Sequence, residues 1–202
     1  MSVDDVELAD QQVEANARLT GLLGVVLLVV LAAEGVTVLD VRGMLSWHVA
    51  LGLLVIPVVL VKLASTSVRF FHYYRGNEAF RRKGPPHPIL RIAGPLVILS
   101  TVAMLVFGIV TLAVGPRHRE PWLTLHQGAF AAWVVLTTVH VLGHALETWT
   151  LTRDDVKASP PVPRRAARFV VVLGALAVGG LLAILSLKWT GAWSHNTRFF
   201  DH

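Results

Sequence analysis

Three histidines, His48, His126 and His140, lie within or at the mouth of long apolar runs of this 202-residue chain. His126 and His140 are 14 residues apart. On an α-helix that step rises about 21 Å and completes four turns less about 40°, so both imidazoles leave one face at two depths. His144, one turn beyond His140, joins them within about 40° of the same face. Ionisable side chains are costly in hydrocarbon and mark functional positions by default, and neutral imidazole is a common ligand of metal ions. The pattern predicts haem iron gripped by histidines from neighbouring membrane helices.

The elements that must carry these side chains follow from composition. The chain is 54% hydrophobic and 15% charged, with its charges clustered between long uncharged runs. Residues 19–39, 45–68, 89–115, 122–149 and 169–188 read as spans, each long enough to cross roughly 30 Å of hydrocarbon. The expected fold is all-α: a polytopic transmembrane bundle of about five helices with a four-helix haem-binding core. Residues 1–18 read as an acidic cytoplasmic segment, 19–189 as the bundle and 190–202 as an extracytoplasmic tail, with no separate soluble domain. Asp4, Asp5, Glu7, Asp10 and Glu14 against the lone Arg18 are the reverse of a secretory leader, so the first span reads as an uncleaved anchor. Trp47, Trp122, Trp149, Trp189 and Trp193 fall near predicted span ends, as an interfacial aromatic belt requires.

Lys and Arg set the orientation. Arg18 and the stretches 69–91 and 153–168 together hold twelve, the opposite side holds five, and Lys62 lies within a span. The N-terminus is therefore predicted in the cytoplasm and the C-terminus outside, in a bacterial inner membrane. Topology and anionic headgroups account for the pI near 10.2, leaving no call for nucleic acid as a partner. Cysteine is absent, which removes disulfides, thiolate ligation, iron–sulfur clusters and covalent haem attachment.

In this topology His48 and His126 both begin helices that run inward, so they share a depth near the outer leaflet. Gly52 and Gly128 beside them leave room for a flat macrocycle to approach the backbone. A b-type haem bridging the second and fourth spans through His48 and His126 is the expected outer site. The inner site has three readings. His72 pairs with His140 or His144 around a second haem; Lys62, 14 residues beyond His48, serves as a ligand or as a partner for a propionate or quinone oxygen; or the site holds no haem. Along a continuous helix His72 lies about 36 Å from His48, against about 21 Å and 27 Å for His140 and His144 from His126, so a kink near Pro57 or an early helix end is needed to bring it level. His140, His144 and Glu147 also make half of a helix-borne metal site. Glu34, near the outer end of the first span, is a candidate proton relay beside the outer haem or a paired interfacial carboxyl. Arg69, Tyr73, Tyr74 and Arg75 form a basic aromatic cluster suited to interfacial anchoring or to clamping a propionate. His87, His118, His195 and His202 read as solvated.

The segments Ser46-Trp47-His48-Val49-Ala50-Leu51-Gly52, Leu125-His126-Gln127-Gly128 and His140-Val141-Leu142-Gly143-His144 resemble the helix-borne histidines of cytochrome b561-type and related membrane-bound b-type cytochromes. The run Val61-Lys62-Leu63-Ala64-Ser65-Thr66 through Arg69, with Tyr73-Tyr74-Arg75-Gly76 and Lys83-Gly84-Pro85-Pro86, is similar to the cytochrome b-like membrane region of actinobacterial proteins linked to molybdopterin oxidoreductases. The resemblance covers roughly residues 44–150. It implies one or two b haems with bis-histidine ligation, and electron exchange with quinone, superoxide or an attached redox subunit. Lys62 stands where many such relatives carry the second histidine of that helix.

The expected function is thus membrane electron transfer, with enzyme activity, if any, that of a quinone-linked oxidoreductase; membrane lipid is a partner, and a homodimer is left open. Paired catalytic carboxylates, a nucleophile with an adjacent base and a glycine-rich phosphate loop are not found. A proton- or ion-conducting transporter and a non-haem anchor subunit are the competing classes. The transporter reading lacks a second half repeating the first.

Overall fold

The computed structural model describes residues 3–82, 88–157 and 162–194. His87, His195 and His202, the Lys83-Gly84-Pro85-Pro86 run and residues 195–202 of the tail lie outside the described residues. Six helices account for nearly everything else: α1 (Val3–Leu39), α2 (Leu45–Tyr74), the short α3 (Glu78–Arg82), α4 (Pro88–Val114), α5 (Glu120–Lys157) and α6 (Arg165–Ser194). All but α3 are long and apolar enough to cross a membrane. The chain is a multi-pass membrane protein. Only helices and closed barrels satisfy every backbone N–H and C=O in lipid, and apolar runs of this length take the helical solution.

α1, α2 and α5 outrun their predicted spans at one end of the bundle, and α6 (Arg165–Ser194) outruns its own at both of its ends. The acidic stretch 1–18 is, from Val3, the start of α1; α2 continues to Tyr74, and α5 to Lys157. At 38 residues, α5 is about 57 Å long, nearly twice the hydrocarbon thickness. Tertiary contacts explain the overrun of α1: Val13 is buried against Ala79 and Phe80 of α3, with Ala9 packed beside it. Glu14 and Arg18, one turn apart, form an ion pair.

The dry core lies between α1, α2 and α6, where Leu22, Leu23, Leu27, Val55, Val58, Val172 and Ala175 are buried together. Elsewhere apolar side chains such as Leu60, Leu99, Val135, Leu146 and Leu173 face outward, where they meet lipid rather than water. Beside this core runs a polar seam. Asn16 donates to the Ser65 carbonyl (3.1 Å), Ser65 donates back to the Asn16 side chain (3.2 Å), Thr20 and Ser65 share their hydroxyls, and Lys62 Nζ donates to the Thr20 carbonyl (3.0 Å).

α6 closes on α2 through a bare backbone. A Cβ at Gly179 would come within 2.5 Å of the Leu54 carbonyl oxygen, so the two helices meet at a distance only glycine permits. Gly179→Leu is expected to lower unfolding stability in detergent by about 1–3 kcal/mol through overpacking. The neighbouring Gly180→Leu, whose added carbon meets open space, should leave the thermal midpoint nearly unchanged.

At the end where helices overrun, a charged knot ties α1, α5 and α6 together. Arg168 of α6 forms a two-pronged bond with Asp155 of α5, Nε lying 3.2 Å from Oδ2 and Nη2 contacting Oδ1. Arg18 Nη1 stands 3.8 Å from the same carboxylate. Arg165 caps the last carbonyls of α5, donating to those of Asp155 and Val156 at 2.8 Å each, which also places its charge at the negative end of the helix.

The helices that carry the histidines are arranged as a ring. α5 packs on α4 and α1, α1 packs on α2, and α2 touches α4 only lightly. α2 and α5 are therefore opposite one another across the ring, with α6 outside it against α2.

Candidate functional site

His48 enters from the first turn of α2 and His126 from the second turn of α5. Their rings meet in a T-shaped, edge-on arrangement with centroids 6.2 Å apart and planes at 84°. Two imidazoles on opposite sides of one metal ion require roughly 6 Å between centroids, made of about 2 Å of metal–nitrogen bond and about 1 Å of ring radius on each side. The mutual distance therefore fits one shared metal atom.

The second nitrogen of each ring is already committed. His126 Nδ1 lies 2.8 Å from the Met104 carbonyl of α4; a carbonyl only accepts, so Nδ1 carries the hydrogen. His48 Nδ1 lies 3.0 Å from Glu34 Oε1 and 3.0 Å from Thr37 Oγ1, both on α1. Thr37 spends its own hydroxyl hydrogen on the Glu34 carbonyl at 2.6 Å, leaving its oxygen, like the carboxylate, to accept from His48. In both rings the remaining Nε2 bears a lone pair, and no hydrogen bond among the described residues engages it. Fixing one nitrogen through a carbonyl or carboxylate, to free and orient the other, is the usual support of a metal-ligating histidine.

Glycines make room for these contacts, though not all of those expected to. A Cβ at Gly52 would meet Glu34 Oε1 at 3.6 Å, an ordinary contact, and one at Gly128 would meet nothing. The constrained position is Gly108 of α4, where a Cβ would stand 3.1 Å from two atoms of the His126 ring. Gly108, Thr37 and the Met104 carbonyl were not singled out from sequence. A lone glycine in the bulky run Leu105-Val106-Phe107-Gly108-Ile109 was a usable signal, whereas a backbone carbonyl leaves none.

The inner candidates are arranged differently. His140 and His144 lie near each other with their rings tilted, centroids 4.8 Å apart. His144 Nδ1 faces Glu147 Oε2 at 3.5 Å, and His140 Nδ1 is buried without a hydrogen-bond partner. α2 continues through Pro57, and His72, in its last turn, bonds the Val68 carbonyl (2.8 Å) and stacks on Phe80 at 4.8 Å. Lys62 reaches α1, lying 3.3 Å from where a Gly24 Cβ would be and bonding Thr20. Arg69 is half-buried between them on α2. Tyr74 takes a 2.6 Å hydrogen bond from Arg91 of α4 and stands edge-on to Tyr73 at 5.3 Å. Among the described residues, no three or more His, Asp or Glu side chains assemble to hold a bare metal ion.

The geometry therefore separates two depths. At one, imidazoles from opposite helices stand 6.2 Å apart with each Nδ1 bonded; at the other, His72 and Lys62 are bonded to their own or a neighbouring helix, His144 faces Glu147, and His140 Nδ1 has no hydrogen-bond partner. No family model, curated protein or solved structure matches the chain.

Proposed function

We propose that this protein is a b-type cytochrome of a bacterial inner membrane that carries electrons through haem held between His48 and His126. The observation that supports it is the pair of rings 6.2 Å apart, each with Nδ1 tied to a fixed acceptor and Nε2 left to coordinate. The haem, when bound, supplies reversible one-electron chemistry, and the protein supplies everything that selects and tunes it. α2 and α5 present the ligands, α1 and α4 orient them, and the lipid-facing apolar shell keeps bulk water away.

One haem per chain is the favoured stoichiometry. His140 and His144 lie side by side on one helix, so they cannot flank a macrocycle together. His72 is engaged with Phe80, and Lys62 is drawn onto α1. Electrons pass to or from a quinone, superoxide or an attached redox subunit. The basic end of the bundle, with Arg69, Arg75 and Arg91, faces the cytoplasm under the positive-inside rule.

A reduced-minus-oxidised spectrum of the purified protein, with haem quantified as the pyridine haemochrome, tests this reading. Sharp Soret and α bands with close to one haem per chain are expected. Absence of both bands would refute the reading and return the protein to the transport or anchoring classes. A ratio near two would require His140 or His144 to pair with His72 or Lys62.

A further inference from the structure

The two histidines are supported unequally, and the inequality has a chemical meaning. His126 gives its Nδ1 hydrogen to a neutral peptide carbonyl, whereas His48 gives its own to the Glu34 carboxyl. Hydrogen bonds to an ionised acceptor are roughly twice as strong as neutral ones, and a carboxylate partner raises the basicity of the ligating nitrogen.

We propose that Glu34 is the positioning residue of the site: its carboxyl holds the His48 ring through Nδ1, leaves Nε2 for the iron, and makes His48 the more electron-donating ligand. This rests on the haem reading above. Glu34 is held for the task from several sides. Thr37 Oγ1 lies 3.4 Å from Oε2, and Oε1 packs beside Gly52 of α2, 3.6 Å from where a Cβ there would stand. The carboxyl side chain is 15% exposed, and among the described residues its ion-pair partner is His48. A carboxyl five residues inside the predicted end of the first span is costly unless it is paired and used.

A ligand made more basic by a carboxylate favours the oxidised iron, so the bound haem is harder to reduce than with two carbonyl-supported histidines. Removing the charge while keeping the shape should raise the midpoint potential. The experiment is a potentiometric titration of the full-length haem-loaded protein, wild type against Glu34→Gln and Glu34→Asp, with the electron paramagnetic resonance signal of the oxidised form recorded alongside. In Glu34→Gln the reduced-to-oxidised ratio at a fixed potential is expected to rise about tenfold, equal to about 59 mV for one electron, with an altered resonance signal. Glu34→Asp should return both toward wild type. Should Glu34→Gln fail to fold, Thr37→Val, which removes the hydroxyl shared by Glu34 and His48, should shift the potential in the same direction by less.

An unshifted potential in a variant that retains its haem overturns the role of Glu34 and leaves the cytochrome reading intact. A wild-type protein without b-type bands overturns both.

Discussion

Replacing His126 with alanine is expected to abolish binding of the proposed haem while leaving the helices in place. The substitution removes one hydrogen bond, to Met104, whose net contribution to stability is about 0.5–1.5 kcal/mol. The fold therefore has little to lose. The proposed haem, by contrast, would be left with only one of the two histidines that would hold it. The purified variant should show the far-ultraviolet circular dichroism of the wild type with the Soret and α bands gone. His48→Ala should do the same, and His118→Ala, in the turn between α4 and α5, should retain full pigment. Full pigment in the His126 variant would refute the assignment of that residue.

The largest loss of stability is expected from Asp155→Ala. Asp155 is fully buried, as is Arg18 at 1% exposure, and Arg168 follows at 4%. Removing the carboxylate leaves the buried Arg168 guanidinium without its paired carboxylate, while Arg18 keeps its bond to Glu14. Breaking a buried pair in this manner costs about 3–5 kcal/mol, more than the intact pair contributes over an apolar substitute. Thermal unfolding in detergent should show it directly, and an unchanged midpoint would mean that water or a neighbouring carboxyl already screens the knot. Arg168→Met, which removes one cation and leaves Asp155 near Arg18, should cost less than Asp155→Ala.

The five spans were legible because lipid imposes a crude rule: about twenty apolar residues must cross, and five runs of the sequence satisfy it. Their overruns were not, because the start of α1 and the end of α5 are polar and are held as helix by tertiary contacts such as Val13 on Phe80. Arg18 and Arg168 counted in the sequence only toward orientation. Their meeting at Asp155 joins residues more than a hundred positions apart, and no periodicity encodes that. His48 and His126 were recognisable as a pair because both sit near the start of helices that run the same way, so equal offsets mean equal depth. What holds them was hidden. Thr37 reads as an ordinary helical threonine, and the carbonyl of Met104 belongs to a position where any side chain would serve. The expected need for glycine fell on Gly52 and Gly128, beside the histidines in sequence. The demand is strongest at Gly108, because the ring of His126 leans onto α4 rather than along its own helix.

α5 carries His126 near one end and Asp155 near the other, 29 residues further on, or about 44 Å along one unbroken rod. A slip of a single residue in its register would swing every side chain by about 100° around the axis. With Asp155 clamped by arginines from two other helices, that rotation is locked from the far end. The compass bearing of an imidazole in one leaflet is set by a bolt fastened beyond the other.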